Sequence, residues 1–219
     1  MQNPQSSAAA SIAGRPSLVR QEDSGASDWR HALPVLSGAM VRLREVRPED
    51  APHLLAMMGE TQVARFMSTP PETVEAFEGF IAWARRERRA GHLACFVVLP
   101  HGTDEPAGLF QVRLLDDPRG TAEWGFAIGS RFWSSGFYAD GAPLIVDFVF
   151  SALGVRRLVA RAAIANGRGN GALRKMGAVR EEILRGSLLK DGEYLDQAVW
   201  TISAPEWALG RDSRILRLH

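Results

Sequence analysis

Apolar positions recur at strand or helix spacing from about residue 40 to residue 203. Segments that alternate apolar and polar residues, or that form short apolar runs between turn residues, predict strands. Seven segments do so: residues 40–46, 93–99, 106–115, 121–128, 158–164, 179–189 and 193–203. Helical spacing predicts helices over about residues 48–58, 71–89 and 144–153, and in a short stretch that ends at Lys175-Met176.

Glycine, proline and other turn residues indicate where several of these helices and strands begin and end. Gly177 follows the short helix at a position where a C-cap favours positive φ. Asp191-Gly192 separates the last two strands, and an Asp-Gly pair is a strong hairpin signal. Pro143 would delete a helix hydrogen bond, so its helix is predicted to start late or to kink. The order of elements indicates an α+β fold with a mixed sheet rather than a doubly wound one.

The domain organisation follows from the length and from a change of composition near the start. A chain of 219 residues suits a single domain. Residues 1–32 are rich in Ser, Ala, Gly, Pro and Gln with little hydrophobic pattern, which predicts a disordered N-terminal tail. Residues 33–219 are predicted to form one folded domain.

Composition argues against several classes of protein. The formal net charge of +1 gives no global basic field for nucleic acid. Cys95 is the single cysteine, so an intramolecular disulfide is excluded, and its apolar surroundings predict a buried structural thiol. The histidines show no metal-ligand spacing, so no metal is expected. No apolar run approaches the roughly 20 residues of a membrane span and the start lacks a signal-peptide pattern, which predicts a soluble cytoplasmic protein.

Arginines cluster at residues 85–89, at the end of the second predicted helix. Arginine near a helix C-terminus complements the helix dipole, so a solvated face is predicted. The alternative is a patch that docks phosphate or RNA, whose affinity would be sensitive to salt.

Two strand–turn–helix segments carry the candidate chemistry. Residues 131–140 read RFWSSGFYAD and connect the strand at 121–128 to the next helix. Small residues let the backbone approach a ligand, and the free N–H groups at a helix N-terminus favour a phosphate. The second segment turns at Asn166, where Asn beside Gly is typical of a turn. Together the segments predict a site for a phosphate-bearing ligand.

The order and spacing of these segments resemble the GNAT superfamily of N-acyltransferases, in the branch of the ribosomal-protein N-terminal acetyltransferases. In that branch a strand like residues 122–128, AEWGFAI, leads into a loop like residues 133–140, WSSGFYAD. About 25 residues further on come Asn, a small residue, Leu, Lys and Gly at fixed spacing, here Asn166, Gly169, Leu173, Lys175 and Gly177. The resemblance covers about residues 40–203.

The resemblance implies a mostly antiparallel seven-stranded sheet, helices on both faces, and a splay between the fourth and fifth strands that holds acyl-CoA. Strand four would pair with the pantetheine arm like an added strand, and one of its amides would stabilise the oxyanion. Asn166 would hold the arm near the thioester. The other cofactor-binding residues expected on this basis are Phe126, Ala127, Ile128, Trp133, Ser134, Ser135, Gly136, Phe137, Tyr138 and Ala139.

Besides Pro143, the chain departs from the family pattern in three places. Tyr138 stands where relatives carry a small residue. Ser134-Ser135 replaces a Gly-Lys or Gly-Arg pair, which removes a cation near the phosphates. Gly169 replaces a serine that is a candidate proton donor in relatives. The general acid is therefore open among Tyr138, Asn170 and a water.

Glu123 is the candidate catalytic base. An amine nucleophile must lose a proton, and a carboxylate or a water held by one can accept it. Glu123 also matches a recurrent glutamate of the family. The alternative is an exposed strand carboxylate that pairs with an arginine such as Arg113 or Arg161. Asp196 also matches a family position, but a hairpin or capping role is favoured for it.

The predicted function is the transfer of an acyl group from CoA onto a primary amine by direct attack in a ternary complex. Acetyl is the family default, and a larger acyl group such as succinyl stays open. The acceptor is a protein N-terminus or a small molecule, and a homodimer is also open. The alternative is a non-catalytic acyl-CoA-binding module that has lost its proton donor.

Overall fold

The computed structural model describes residues 28–117 and 120–215. Positions 1–27 of the predicted tail therefore lie outside the described residues. In the described remainder of that segment, Trp29 is buried in the main core with 7% of its surface exposed. The packed chain thus extends a few residues upstream of Leu33.

One sheet forms the centre of the described structure. Its strands are β1 (Leu36–Ser37), β2 (Val41–Glu45), β3 (Leu93–Pro100), β4 (Gly108–Leu114), β5 (Thr121–Ile128), β6 (Arg157–Ala163), β7 (Val179–Lys190) and β8 (Glu193–Ser203). The order is β1-β2-β3-β4-β5-β6-β8-β7, and every neighbouring pair is antiparallel except β5 with β6. The seven predicted strands are present with ends within two residues of those expected, and β1 adds an eighth at the edge.

Helices cover both faces of this sheet, as predicted. Within the described ranges they are α1 (Ala51–Met58), α2 (Thr61–Ala64), α3 (Val74–Ala90), α4 (Phe137–Ser151), α5 (Gly167–Lys175) and α6 (Ala204–Ile215), with 3-10 turns at Pro48–Asp50 and Ser130–Phe132. None of these helices is both long enough and apolar enough to cross a membrane.

Two cores divide the helices between the faces. Phe77 and Ile81 of α3 pack with α1 against one face of β3 and β4. On the opposite face, Phe148 of α4, Leu173 of α5 and Trp207 of α6 share a core with the strands. Because both faces are covered in the middle of the sheet, β3 is buried from residue 93 to residue 99.

Short local signals fix several of these elements. Thr73 is the N-cap of α3, where its side chain accepts a hydrogen bond from the N–H of Ala76. Gly177 follows α5 with φ of 85°, as predicted for a C-cap. Asp191 and Gly192 have φ of 50° and 82°, which confirms the tight hairpin between β7 and β8.

The parallel pair β5–β6 opens partway along its length. Thr121, Ala122 and Glu123 pair with residues 157–159 of β6, and the pairing then stops. Residues 124–128 of β5 pair only with β4 on their other side, so far as the described chain shows. The predicted splay is therefore present, between the strands that were numbered fourth and fifth from the sequence.

The helix predicted at residues 144–153 begins at Phe137, so the expected late start is wrong. Gly136, with φ of 93°, ends the preceding loop and lets α4 begin at once. Pro143 lies inside α4 and removes one backbone donor, which leaves the carbonyl of Ala139 without its usual partner. Ala139 is exposed, so water can bond that carbonyl.

Helix α6 was not predicted, although the sequence carries a signal for it. Ser203 and Glu206 form the spacing of a capping box, and Pro205 stands in the first turn. In the structure the Ser203 hydroxyl contacts the Glu206 carboxylate at 2.7 Å. Trp207 then buries its ring in the core and donates its indole N–H to Asp147 at 2.7 Å.

Arg88 shows that the cluster at residues 85–89 is not wholly solvated. Its side chain is 4% exposed and bonds the carboxylate of Glu45 and the backbone carbonyls of Trp29 and Arg30. Arg86 and Arg89 remain exposed. The prediction of a solvated face is therefore wrong at Arg88, because a carboxylate and two carbonyls compensate its burial.

Candidate functional site

The splay between β5 and β6 is a gap that is bordered at its open end by two helix N-termini. β5 leads through Ser130–Phe132 into α4, and β6 leads through a tight turn into α5. Because β5 and β6 are parallel, both helices begin at the same end of the gap. We call this end the mouth, and the paired end at residues 121–123 the root.

The loop at the mouth presents backbone amides at the start of α4. Ser134 and Gly136 take left-handed φ values of 66° and 93°. Within the described part of the chain, the amides of Ser134, Gly136, Tyr138 and Ala139 donate no hydrogen bond. Free amides at the positive end of a helix dipole suit an anion. The predicted amides of Ser135 and Phe137 are already engaged, with the carbonyl of Phe132 at 3.2 Å and the Ser135 hydroxyl at 3.3 Å. Phosphate binding by the remaining free amides stays a prediction.

Arg168 brings a cation to this loop from the first turn of α5. Its guanidinium carbon lies 3.9 Å from the centroid of the Trp133 ring, in a cation–π contact. The sequence indicated a loop without a cation, and it did not reveal that Arg168 contacts Trp133, because the two residues are far apart in the chain. A local signal did exist, since an arginine in the first turn of a helix opposes the helix dipole.

Asn166 caps α5 at the mouth. Its Oδ1 accepts a hydrogen bond from the N–H of Gly169 at 2.9 Å. A Cβ at Gly169 would lie 2.6 Å from Nδ2 of Asn166, which is too close. A residue without a side chain is therefore needed at position 169 for the Asn166 cap to keep this geometry. The contact of Asn166 with a pantetheine arm stays a prediction.

Asn170 has a structural role rather than that of a proton donor. Its Nδ2 donates to the carbonyls of Ala163 at 2.9 Å and Asn166 at 2.7 Å, and its Oδ1 accepts from the indole N–H of Trp200 at 2.8 Å. These bonds use the amide group to hold the start of α5 against β6 and β8.

Tyr138 lies on the α4 side of the gap, against the unpaired part of β5. Its ring centroid is 4.6 Å from that of Phe126 and 6.1 Å from that of Phe110. Its hydroxyl oxygen is buried and has no hydrogen-bond partner among the described residues. Burial raises the pKa of the phenol above its ordinary value, so the hydroxyl is protonated at neutral pH.

Glu123 lies at the root of the gap, as the last residue of β5 that pairs with β6. Its Oε1 is 3.4 Å from Nε of Arg161, and the two side chains are 31% and 45% exposed. The alternative pairing with Arg161 is therefore present, and a role as base stays a prediction. Its neighbours Ala122 and Trp124 are buried in the α4-side core, so Glu123 faces the opposite side of the sheet.

The structure places Glu123 and Asn166 at opposite ends of the gap. The strand from residue 123 to residue 128 spans roughly 16 Å, at about 3.3 Å per residue. Asn166 follows the carboxyl end of β6, at the mouth. A ligand that contacts both residues must therefore be an extended chain.

A cleft of about 170 Å³ opens on the same face as Glu123. It lies beside the Glu123–Arg161 pair, on the strands β5 to β8. Its lining mixes two cations, two acids and apolar groups, and includes Asp117, Thr121, Arg157, Val159, Arg161, Glu182 and Val199.

Asp140 ties the start of α4 to the turn between β1 and β2. Its carboxylate accepts hydrogen bonds from the N–H groups of Ala39 at 3.0 Å, Met40 at 2.7 Å and Val41 at 2.9 Å. Burial raises the pKa of Asp140, but these backbone bonds outweigh it and hold the pKa below its ordinary value. A Cβ at Gly38 would collide with the carboxylate. The sequence did not reveal this contact, because its partners lie about 100 positions apart.

Cys95 and Asp196 have structural surroundings. Cys95 is buried, as predicted, and burial raises the pKa of its thiol. Asp196 accepts a hydrogen bond from the N–H of Gly186 at 2.8 Å and pairs with Arg185, where the register of β7 shifts. This confirms its hairpin role. Among the described residues, no group of three or more His, Cys, Asp or Glu side chains could hold a metal ion.

Comparison with known proteins places this geometry among acetyltransferases. The uncharacterized N-acetyltransferase p20 of Bacillus licheniformis is 25% identical over 167 residues, which cover 76% of this chain and 94% of the relative. RimJ of Mycobacterium smegmatis, solved in complex with CoA-disulfide, has a TM-score of 0.73 at 21% identity, over 82% of this chain and 90% of that one. The ribosomal-protein-S5-alanine acetyltransferase of Vibrio fischeri has a TM-score of 0.72 at 16% identity, over 80% and 98%.

The two solved structures establish the likeness at the level of the fold. The family model for the acetyltransferase (GNAT) domain matches residues 41–179 of this chain. These residues include the root, the mouth and both helix N-termini. The resemblance predicted from the sequence is thereby confirmed: the chain belongs to the GNAT acetyltransferase family.

Proposed function

We propose that this enzyme transfers an acyl group from acyl-CoA to a primary amine by direct attack within a ternary complex. The observation that carries the proposal is the gap between β5 and β6, which has unpaired strand backbone along one side and free amides at its mouth. A diphosphate at the mouth and an extended arm along β5 match that arrangement in charge and in shape.

The donor would bind from the mouth towards the root. The amides of Ser134, Gly136, Tyr138 and Ala139 would bond the diphosphate oxygens, and Arg168 would supply the cation that the loop itself lacks. The backbone of Phe126, Ala127 and Ile128 would pair with the pantetheine arm. Nδ2 of Asn166 would donate to the part of the arm that lies next to the diphosphate. The thioester would then lie near the root.

The chemistry at the root requires one bond to form and one to break. The neutral amine attacks the thioester carbonyl to give a tetrahedral oxyanion, which a β5 amide would stabilise. Glu123, or a water that it holds, would take the proton that the amine loses. Collapse breaks the C–S bond and releases the CoA thiolate, which is then protonated. Cys95 is buried and its thiol pKa is raised, which disfavours a covalent acyl-enzyme.

The acceptor would approach from the face opposite α4. The cleft of about 170 Å³ lies on that face, next to the Glu123–Arg161 pair. Glu182 in its lining would attract an ammonium group, and Val159 and Val199 would contact an apolar stem. A protein N-terminus or a small amine suits such a surface, and either acetyl or succinyl as the acyl group is compatible with the proposal.

A non-catalytic CoA-binding module is the second candidate. Glu123 is engaged with Arg161, and Gly169 carries no hydroxyl that could protonate the leaving thiolate. Such a module would bind the donor through the same amides and would release no thiol.

Thiol release and calorimetry with the full chain test these proposals together. We expect acceptor-dependent release of free thiol from acetyl-CoA or succinyl-CoA with a mixture of peptides and small amines. Reactions without acceptor are the control, and an unchanged intact mass after incubation with acyl-CoA alone would support direct attack. Binding of CoA without release under any condition would favour the module, and the absence of binding would overturn both.

A further inference from the structure

The hydroxyl of Tyr138 is a buried polar group that does not stabilise the described fold through a hydrogen bond. Its oxygen has no hydrogen-bond partner among the described residues. A buried hydroxyl without a partner costs free energy, because it has lost its bonds to water and gained none in return. A phenylalanine would fill the same space against Phe126 and Phe110 without that cost.

The position of the ring shows where a partner would come from. Tyr138 packs most closely on Phe126, at 4.6 Å between ring centroids. Phe126 lies midway between the root and the mouth, in the part of β5 that β6 does not pair. Tyr138 is also the second residue of α4, next to the free amides of the loop. The ring is thus held against the unpaired part of β5 that borders the gap, between the amides at the mouth and the root.

We infer that the Tyr138 hydroxyl contacts the acyl donor, by donating a hydrogen bond to an amide carbonyl oxygen of the pantetheine arm. The inference rests on the proposed function, because it requires an arm that runs along β5. The arm carries amide carbonyls, which are good acceptors, and a neutral phenol offers one donor. The side chain would therefore position the middle of the donor without exchanging a proton with it.

A single-atom substitution separates this role from a packing role. Tyr138→Phe removes the oxygen and keeps the ring contacts with Phe126 and Phe110. The chain offers a matched control in its only other tyrosine, because Tyr194 is 72% exposed and lies in β8. Tyr194→Phe removes the same atom from a strand that does not border the gap.

Calorimetric binding of two probes to the full chain tests the inference. The probes are CoA and 3′-phospho-ADP, which is CoA without its pantetheine arm. We expect Tyr138→Phe to weaken CoA binding about threefold to tenfold, as for the loss of one neutral hydrogen bond, and to leave 3′-phospho-ADP binding unchanged. The thermal midpoint of the free variant should equal or exceed that of the wild type, and Tyr194→Phe should change neither affinity.

Each other outcome has a distinct meaning. Unchanged CoA affinity in Tyr138→Phe would overturn the inference. Equal weakening of both probes would also overturn it, since the hydroxyl would then act on the phosphate loop. If the wild type binds neither probe, the proposed function fails first. A lower midpoint with unchanged affinity would assign the hydroxyl to stability alone and would reject a ligand contact.

Discussion

Asn166 combines a structural task with a proposed binding task in different atoms of one amide. Its Oδ1 caps α5 through the N–H of Gly169, while Nδ2 takes no part in that bond. Serine is also a good N-cap, but its hydroxyl lacks the reach and the two donors of the amide. The two tasks can therefore be separated by substitution.

We predict that Asn166→Ala lowers the free energy of unfolding by about 1 kcal/mol, because the cap is lost, and also weakens CoA binding. Asn166→Ser should keep most of the stability and weaken CoA binding as much as the alanine variant does. Urea unfolding and calorimetry measure the two effects. If Asn166→Ser binds CoA like the wild type, Asn166 is only a cap.

Glu123 presents the same question at the root, because its carboxylate is both a candidate base and half of an ion pair with Arg161. A half-exposed pair of this kind contributes only about 0–1 kcal/mol to stability. We predict that Glu123→Gln lowers kcat by about 100-fold or more, with KM for acyl-CoA nearly unchanged.

Arg161→Gln is the matched control for Glu123→Gln, since it breaks the same ion pair and leaves the carboxylate in place. Steady-state kinetics should show a far smaller loss of kcat for this variant. Equal kinetics for the two variants, close to those of the wild type, would mean that Glu123 serves only the strand pair.

At the scale of elements, a single carboxylate anchors the start of α4. Asp140 accepts hydrogen bonds from two amides of the β1–β2 turn and from the first amide of β2, so it ties the first turn of the helix to that edge of the sheet. The folded-state pKa of Asp140 is below its ordinary value, so the folded form binds fewer protons in acid. Its contribution to stability is therefore present above about pH 4 and is lost as the pH falls through the folded pKa.

We predict that Asp140→Asn destabilises the protein by about 1 to 2 kcal/mol at pH 7, because charged acceptors make the stronger hydrogen bonds. The difference from the wild type should shrink towards pH 3, because below about pH 4 the carboxylate of the unfolded wild type takes up a proton that the folded form resists. Denaturant unfolding at both pH values measures it. Asp116→Asn, at an exposed loop position, is the control, and a pH-independent difference for Asp140→Asn would contradict the ionic explanation.

The strands were predictable because apolar alternation is a local property of the sequence. β1 was missed, since two residues cannot show a period, and α6 was missed although Ser203 and Glu206 marked its start. The loop at residues 133–139 was located from its small residues. The contacts of Arg168 with Trp133 and of Asp140 with Met40 could not be predicted, because each depends on two distant segments that meet only in the fold.

At the scale of the molecule, the two halves of the sheet are joined by few backbone hydrogen bonds where the gap lies. β5 and β6 share only three paired positions within the described chain, and beyond them the loop before α4 meets α5 across the mouth through Trp133 and Arg168. A ligand in the gap would contact both sides at once. Because it would bind only the folded form, CoA at 100 times its dissociation constant should raise the free energy of unfolding by about 2.7 kcal/mol.

The charge of Arg168 should contribute measurably to CoA binding and therefore to this stabilisation by CoA. We predict that Arg168→Gln weakens CoA binding severalfold at low salt and reduces the rise in thermal midpoint at a fixed CoA concentration. The loss should diminish in 0.5 M salt, because the Debye length is then about 4 Å and the attraction between more distant charges is screened. Arg174→Gln removes the same charge from the other end of α5 and serves as the control. An equal loss in both variants would indicate a general effect of net charge, and no loss in Arg168→Gln would leave the diphosphate to the loop amides alone.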